Sequence, residues 1–232
     1  QDNPKGTIGF QIISWAILTA TLCISQNYLT TATGKLETLS NIKEIENVEK
    51  VRYYELSNFS LARHYAGVHT HLNASGKYNQ NLNFNVYFVL PIVTSNTDPI
   101  TQIPKYWYGI KYRQQISNKI SHKEKEKKYK IFYQDCITKM NNYNFHSVNY
   151  FERVPTSNDR QNYLKAIKAR TKQTVNDKFI ILEPNHEKYE NRNGNKLIWL
   201  FGSFIIGLSV LLFAIFWTNL NEEKPQNINS EN

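Results

Sequence analysis

Three closely spaced histidines are the side chains in this sequence best suited to chemistry. His69 and His71 alternate along a predicted strand, which would place both on one face, and His64 would return toward them from a turn. Neutral imidazoles bind zinc and related metals, usually in sets of three or four ligands. Because no Cys, Asp or Glu lies between Glu55 and Asp98 to complete such a set, ordinary surface histidines are the competing interpretation. A metal is therefore an alternative, and no cofactor is the default prediction.

Nucleophilic catalysis has less support. The sequence contains no G-x-S-x-G motif, and its glycines are too isolated to form a phosphate-binding loop. Cys136 falls on the apolar side of a predicted helix, which favours a core residue over a nucleophile. Cys23 lies in an apolar segment, so the two cysteines do not predict a disulfide. We therefore expect a non-catalytic interaction or assembly domain of a membrane complex, and a metal-dependent enzyme that uses the three histidines is the alternative.

Positive charge is concentrated in the middle of the chain. Residues 35–196 carry 26 of the 28 Lys and Arg residues and 15 of the 19 Asp and Glu residues, a formal net charge of +11. Such a surface attracts anionic lipid headgroups or acidic partners, although a Lys- and Asn-rich source genome is the simpler explanation. The aromatic residues near the basic run fall at core spacing, which disfavours nucleic acid. The densest basic patch, which is either a lipid contact or a solvated helix face, consists of Lys119, Lys123, Lys125, Lys127, Lys128 and Lys130.

Two long apolar segments bracket this basic region. Residues 197–217 contain no charged side chain over 21 positions, and at 1.5 Å per residue such a helix spans about 30 Å, the thickness of a bilayer core. Trp199 and Trp217 lie near its ends, where amphipathic rings favour the membrane interface. Ser203 and Gly207 form a small-xxx-small pair that allows close helix approach. This segment predicts a transmembrane helix.

The first segment, residues 8–29, is more polar. Gln11, Ser14, Thr21 and Ser25 fall on one helical face, which predicts that this face turns toward protein rather than lipid. The Ser203 and Gly207 face is the expected partner. A signal peptide, with Lys5 as its basic residue, is the competing interpretation.

These segments predict a two-pass integral membrane protein whose partners are the lipid bilayer and either another membrane protein or a second copy. The side on which the central region lies is left open. The positive-inside rule favours the cytoplasm, but long loops cross membranes largely regardless of charge. Residues 218–232 are expected to form a disordered polar tail. The chain starts with Gln rather than Met, so we expect a processed protein or a piece of a longer one.

The region between the segments predicts an α+β fold. Apolar residues three apart suggest a helix over 35–50, and strands are expected at 51–56, 67–72 and 82–90, the last ending at Pro91. A loop is expected at 95–104, followed by a strand or helix edge at 105–117. A Ser121–Glu124 capping box predicts the start of a helix at 122–140. The remaining predicted elements are a strand at 145–154, a helix from 157–159 to 170, and a strand at 179–182 before Pro184. The predicted architecture is an α+β water-facing domain, residues 35–196, between two transmembrane helices.

Two stretches carry a family resemblance: KYWYGIKYRQQISN at 105–118 and ENRNGNKLIWLFGSFIIG at 190–207. They resemble an extra domain found in large multi-domain membrane proteins of the rhomboid family. The chain lacks the G-x-S-G motif and a membrane histidine of the intramembrane protease itself, so the resemblance assigns no catalytic residue. It implies an accessory region, or a relative without the catalytic bundle.

Overall fold

Long apolar helices lie at both ends of the described chain. The computed structural model describes residues 4–94, 102–172 and 178–222, except for the side chains of 4–7, 10 and 217–222. Helix α1 spans Pro4–Ala32 and helix α4 spans Lys196–Glu222, past the predicted end at Trp217. The rest of the predicted tail, 223–232, lies outside the described residues. The two helices belong to one unit, and residues 35–189 form the other.

The second unit is built on a mixed sheet with two helices. Its strand order is β1-β2-β7-β8-β6-β5-β3, and β4 pairs with β5 as well. The β1/β2 and β6/β8 pairs are parallel, and the other pairs are antiparallel. Within the described residues the eight strands are β1 Leu36–Asn41, β2 Tyr53–Asn58, β3 Ser60–Leu61, β4 Gly67–Ser75, β5 Asn81–Val93, β6 Tyr106–Ser117, β7 Tyr150–Arg153 and β8 Ile180–Asn185; the helices are α2 His122–Asn141 and α3 Asn158–Thr171. This mixture confirms the predicted α+β character.

Helices α2 and α3 pack on opposite faces of the sheet. Successive residues of a strand point to opposite faces, so Phe88 of β5 joins the core that contains Phe132 of α2, whereas Val89 joins the core that contains Tyr163 of α3. The second half of β5 is apolar at consecutive positions because both of its faces are covered. The first half carries Asn83 and Asn85 on the α3 side, and both side chains are buried rather than solvated.

Helix α3 approaches the sheet closely at two glycines. A Cβ atom on Gly67 would lie 2.5 Å from the carbonyl oxygen of Ala166, and one on Gly109 would lie 3.1 Å from the ring of Tyr163. Both distances are shorter than van der Waals contact, so a larger residue at either position would push the helix or a neighbouring strand away.

The helix predicted over residues 35–50 is wrong. This segment forms β1 followed by a 3-10 helix at Ile42–Glu46. A 3-10 helix has three residues per turn, so apolar residues three apart, such as Ile42 and Ile45, share its buried face. The apolar residues spaced three apart therefore lie in this tighter helix and at its junction with the strand. An α-helix, by contrast, repeats every 3.6 residues.

Two strand boundaries also differ from the sequence prediction. Pro91 does not end β5, because its carbonyl still accepts a hydrogen bond from the Ala62 N–H at 3.1 Å, and the strand continues to Val93. Pro184 likewise lies inside β8, opposite Phe151. The strand expected at 145–154 is confined to Tyr150–Arg153, because Phe145 is buried in a loop against Tyr108 rather than in the sheet. Most of the predicted loop at 95–104 lies outside the described residues.

The predicted helix starts are confirmed. The Ser121 hydroxyl accepts from the Glu124 N–H at 3.3 Å, and the Glu124 carboxylate accepts from the Ser121 N–H at 3.2 Å, which completes the capping box of α2. Ser157 caps α3 by accepting from the Arg160 N–H at 3.2 Å. Segment 105–117, predicted as strand or helix edge, is the strand β6.

Candidate functional site

Helices α1 and α4 pack against each other in antiparallel fashion through small and apolar residues. Gly207 is buried, and a Cβ atom placed on it would lie 2.5 Å from Cγ2 of Ile17. The residues of α4 that are at least half-buried recur every three or four positions, as one face of a helix requires. They are Lys196, Leu200, Ser203, Gly207, Leu211 and Ala214; Gly202, beside Ser203, is also half-buried.

The residues predicted to pair the two helices are placed unequally. Ser14, Thr21 and Ser25 are half-buried, but Gln11 is exposed. The hydroxyl of Ser25 donates to the Thr21 carbonyl at 2.8 Å, and that of Ser203 donates to the Leu200 carbonyl at 2.9 Å. These two serines therefore satisfy their hydroxyls within their own helices. The helices also approach closely through apolar atoms, where Ile17 lies against Gly207.

A cationic clasp joins the C-terminal end of α1 to the start of α4. Arg192 donates from Nε to the Thr31 carbonyl at 3.2 Å and from Nη2 to the Ala32 carbonyl at 3.0 Å. The Lys196 ammonium donates to the Thr31 hydroxyl at 3.3 Å. The last carbonyls of a helix lack partners and carry partial negative charge, so the clasp satisfies and neutralises that end of α1. The sequence shows the basic residues, but not that they bind α1.

The outer surface of this helix pair is apolar. Both helices are long and apolar enough to cross a membrane, over Gln11–Ala32 with mean hydropathy 1.3 and over Tyr189–Phe216 with mean hydropathy 2.5. Trp199 is 69% exposed, and the side chain of Trp217 lies outside the described residues. The large apolar side chains of the two helices that are at least 60% exposed are Ile12, Trp15, Leu18, Leu22, Ile198, Trp199, Phe201, Ile205, Ile206, Phe213 and Phe216.

The three histidines do not converge. His69 and His71 lie on the same side of β4, opposite Tyr87 and Asn85, whereas His64 lies in a 3-10 helix at Arg63–Tyr65 and lines a different cavity. Burial, together with the nearby Lys165 and His71, lowers the pKa of His69. Within residues 4–94, 102–172 and 178–222, no three His, Cys, Asp or Glu side chains are placed to bind one metal ion. The predicted metal set is therefore not assembled by the fold.

His71 instead belongs to a polar cluster on the α3 side of the sheet, around a cavity of about 300 Å³. At its centre the Asp159 carboxylate accepts from the Lys111 ammonium at 2.6 and 2.8 Å and from the Tyr87 hydroxyl at 2.7 Å. We call the residues around this cavity the polar cluster; they are His71, Asn73, Asn85, Tyr87, Lys111, Arg113, Asn158, Asp159 and Asn162.

The one carboxylate of the polar cluster, Asp159, is paired with Lys111. Burial alone would raise the pKa of Asp159, but hydrogen bonds from Lys111 and Tyr87 hold that pKa below its usual value. Burial and the adjacent carboxylate raise the pKa of Tyr87, so this phenol remains a hydrogen-bond donor. Asp159 accepts hydrogen bonds from both Lys111 and Tyr87, so this arrangement is better suited to stabilising the fold than to general-base catalysis.

Buried asparagines extend the polar cluster along β5. The Asn85 amide donates to the Asn73 side-chain oxygen at 3.1 Å, and the Asn83 amide donates to the Ser75 hydroxyl at 2.9 Å. The Asn83 oxygen in turn accepts from Nη2 of Arg113 at 2.7 Å. Sequence reasoning missed this group, although asparagines alternating within an otherwise apolar strand were its visible signal.

The remaining chemical candidates lie where they are inert or solvated. Cys136 is fully buried, which confirms the predicted core position, and burial raises the pKa of its thiol to about 11. In the basic patch, Lys125 is half-buried and Lys130 pairs with Glu126 at 2.9 Å. The exposed members of the patch are Lys119, Lys123, Lys127, Lys128 and Lys130.

No family model, curated protein or solved structure matches this chain. The resemblance of residues 105–118 and 190–207 to rhomboid-family accessory regions therefore stays a prediction.

Proposed function

We propose that this chain is a two-pass membrane-anchored domain that acts by binding within a membrane assembly rather than by catalysis. The observation that carries this proposal is the apolar surface of the helix pair. Ile12, Leu22 and Ile206 are each more than half exposed. Water disfavours such a continuous apolar surface, whereas lipid or another membrane protein covers it at no cost.

Membrane retention tests the anchor. In membranes from cells that express the full chain, the protein should remain in the pellet after alkaline carbonate extraction. Changing Ile206→Lys together with Phe213→Lys should release much of it, because each central lysine costs about 2.5–3.5 kcal/mol on insertion. Ile131→Lys with Tyr78→Lys, at exposed sites of the sheet unit, is the matched control and should not alter retention. Release of the unaltered chain by carbonate would contradict the anchor.

Helix pairing tests how the anchor is held together. Gly207→Ile should separate or reorient α1 and α4, since its Cβ atom would meet Ile17 at 2.5 Å. Gly202→Ile is the matched control, because a Cβ atom there meets no heavy atom within 4 Å. Cysteines placed at Thr21 and Ser203, which are both half-buried, would report pairing by crosslinking yield and would leave Ile17 in place. Equal yields from the two variants would refute tight packing at Gly207.

Crosslinking from the outer surface tests the assembly. A photoreactive residue at Trp199 or Phe213, both exposed, should give discrete protein adducts in intact membranes. An adduct near twice 27.2 kDa would indicate a second copy, and another discrete mass would indicate a different membrane protein. Adducts to lipid alone would refute the binding part of the proposal while leaving the anchor intact.

A further inference from the structure

A second cavity, of about 460 Å³, also borders the start of α3, and the charged residues described in its lining are all cationic. Four of its lining side chains are cationic: Lys50, Arg153, Arg160 and Lys178. None of the described residues that line it is acidic. We call this cavity the cationic pocket.

The fold gathers these four cations from distant parts of the sequence. Arg153 is the last residue of β7, and its N–H donates to the Arg52 carbonyl at 2.8 Å, which brings the segment before β2, with Lys50, alongside. Arg160 lies in the first turn of α3 and donates from Nη2 to the Phe179 carbonyl at 2.7 Å, beside Lys178.

Two of the cations lack a compensating charge in the described structure. Neither Lys50 nor the half-buried Arg153 forms an ion pair within residues 4–94, 102–172 and 178–222. The contrast with adjacent residues is direct, since Arg52 pairs with Glu152 at 2.6 Å. Like charges held together in a concave, partly desolvated site repel one another, and a bound anion relieves that repulsion.

The chemistry of the lining defines the anion. Lys50 and Arg153 contribute two positive charges without an ion-pair partner among the described residues. A single carboxylate would offset only one of them, whereas a phosphate ester or pyrophosphate carries about two or more negative charges. Arginine forks match phosphate oxygens in bidentate geometry, and Arg153 supplies such a fork. Thr156 and Gln161 add neutral hydrogen-bonding groups, and Val154 and Phe179 add apolar wall.

We propose that the cationic pocket binds a small phosphate-bearing ligand with at least two negative charges. This site is independent of the membrane anchor, because every lining residue belongs to the unit formed by residues 35–189. Failure of the anchor experiments would therefore leave it standing.

Pyrophosphate titration tests the site directly. The full chain should bind inorganic pyrophosphate saturably in calorimetry at about 0.15 M salt, which screens diffuse attraction. It is held in phosphatidylcholine nanodiscs or, if the anchor experiments fail, in buffer alone. Lys50→Gln with Arg153→Gln should weaken binding by about tenfold or more, as expected for lost charge-assisted hydrogen bonds. Arg153→Lys alone, which keeps the charge and removes the fork, should weaken binding by less.

A matched pair of variants separates pocket binding from bulk charge. Lys123→Gln with Lys127→Gln removes the same two charges from an exposed face of α2 and should leave pyrophosphate affinity unchanged within about twofold. Thermal unfolding of each variant verifies that it is folded. Equal weakening by both pairs, or no saturable binding by the unaltered chain at millimolar pyrophosphate, would overturn the proposal.

Nanodisc composition identifies the source of the phosphate. If discs that contain a phosphatidylinositol phosphate reduce pyrophosphate affinity in the unaltered chain but not in the Lys50→Gln, Arg153→Gln variant, the natural ligand is a lipid headgroup. If the lipid has no effect while pyrophosphate still binds, the ligand is a soluble phosphate compound.

Discussion

The polar cluster and the cationic pocket both border the start of α3, but they differ in how their charges are paired. In the polar cluster the Asp159 carboxylate accepts from both Lys111 and Tyr87, so its central charges are matched within the protein. In the cationic pocket no described lining residue is acidic. The first region uses its charges to hold the fold together, whereas the second leaves charge that an external anion can match. A matched site favours stability and an unmatched site favours binding.

The largest expected effect on stability comes from removing the Asp159 carboxylate from the polar cluster. Asp159→Ala should lower the free energy of unfolding by about 2 kcal/mol, because Lys111 and Tyr87 lose their shared acceptor in a partly buried setting. Chemical denaturation of the full chain in detergent would measure the change.

Asp135→Ala is the control for that change. Asp135 pairs with Lys139 at 2.7 Å on an exposed turn of α2, and surface pairs of this kind contribute about 0.5 kcal/mol. A loss at Asp159 no larger than that at Asp135 would show that the polar cluster adds nothing beyond a surface ion pair.

Acid should reduce the difference in unfolding free energy between the unaltered chain and the Asp159→Ala variant. The pKa of Asp159 is lower in the folded protein than its unfolded value of about 3.9, so its contribution is present above that value and disappears as the pH falls through the folded pKa. The difference between the two unfolding free energies should therefore become smaller as the pH falls from neutral to about 3. A constant difference across that range would contradict an ionised, stabilising Asp159.

The smallest expected effect on stability comes from removing two positive charges from the cationic pocket. Lys50→Gln with Arg153→Gln should leave the unfolding free energy unchanged or raise it by about 0.5 kcal/mol, since removing like charges relieves repulsion. The same variant is expected to lose pyrophosphate affinity, so stability and binding should move independently. A stability loss above about 1 kcal/mol would mean that these cations have structural partners and would weaken the contrast between the two sites.

Features that depend on neighbours in sequence were predictable. The capping box at Ser121 and Glu124 and the cap at Ser157 follow from spacings of three residues. The alternation within β5 predicted its strand, and the uncharged run from Leu197 predicted α4. The helix expected at 35–50 failed because a spacing of three fits a short 3-10 helix as well as an α-helix, and sequence alone did not separate the two.

The sites depended on residues that the sequence separates widely. His64 is close to His69 and His71 in sequence, but it lies in the 3-10 helix between β3 and β4 and lines a different cavity. Arg153 and Lys50 are about a hundred positions apart and become neighbours only because β2 and β7 pair.

The sequence by itself determined the two apolar helices, the basic charge of the region between them and most of the local starts and stops, because these follow from composition and short-range periodicity. Only the tertiary structure decided which charges are matched. Strand pairing and helix packing bring Asp159 to Lys111 and leave Arg153 among other cations. A charged side chain can stabilise the fold or bind an external ligand, and which of the two it does depends on the charges that tertiary contacts place beside it. No local sequence pattern contains that information.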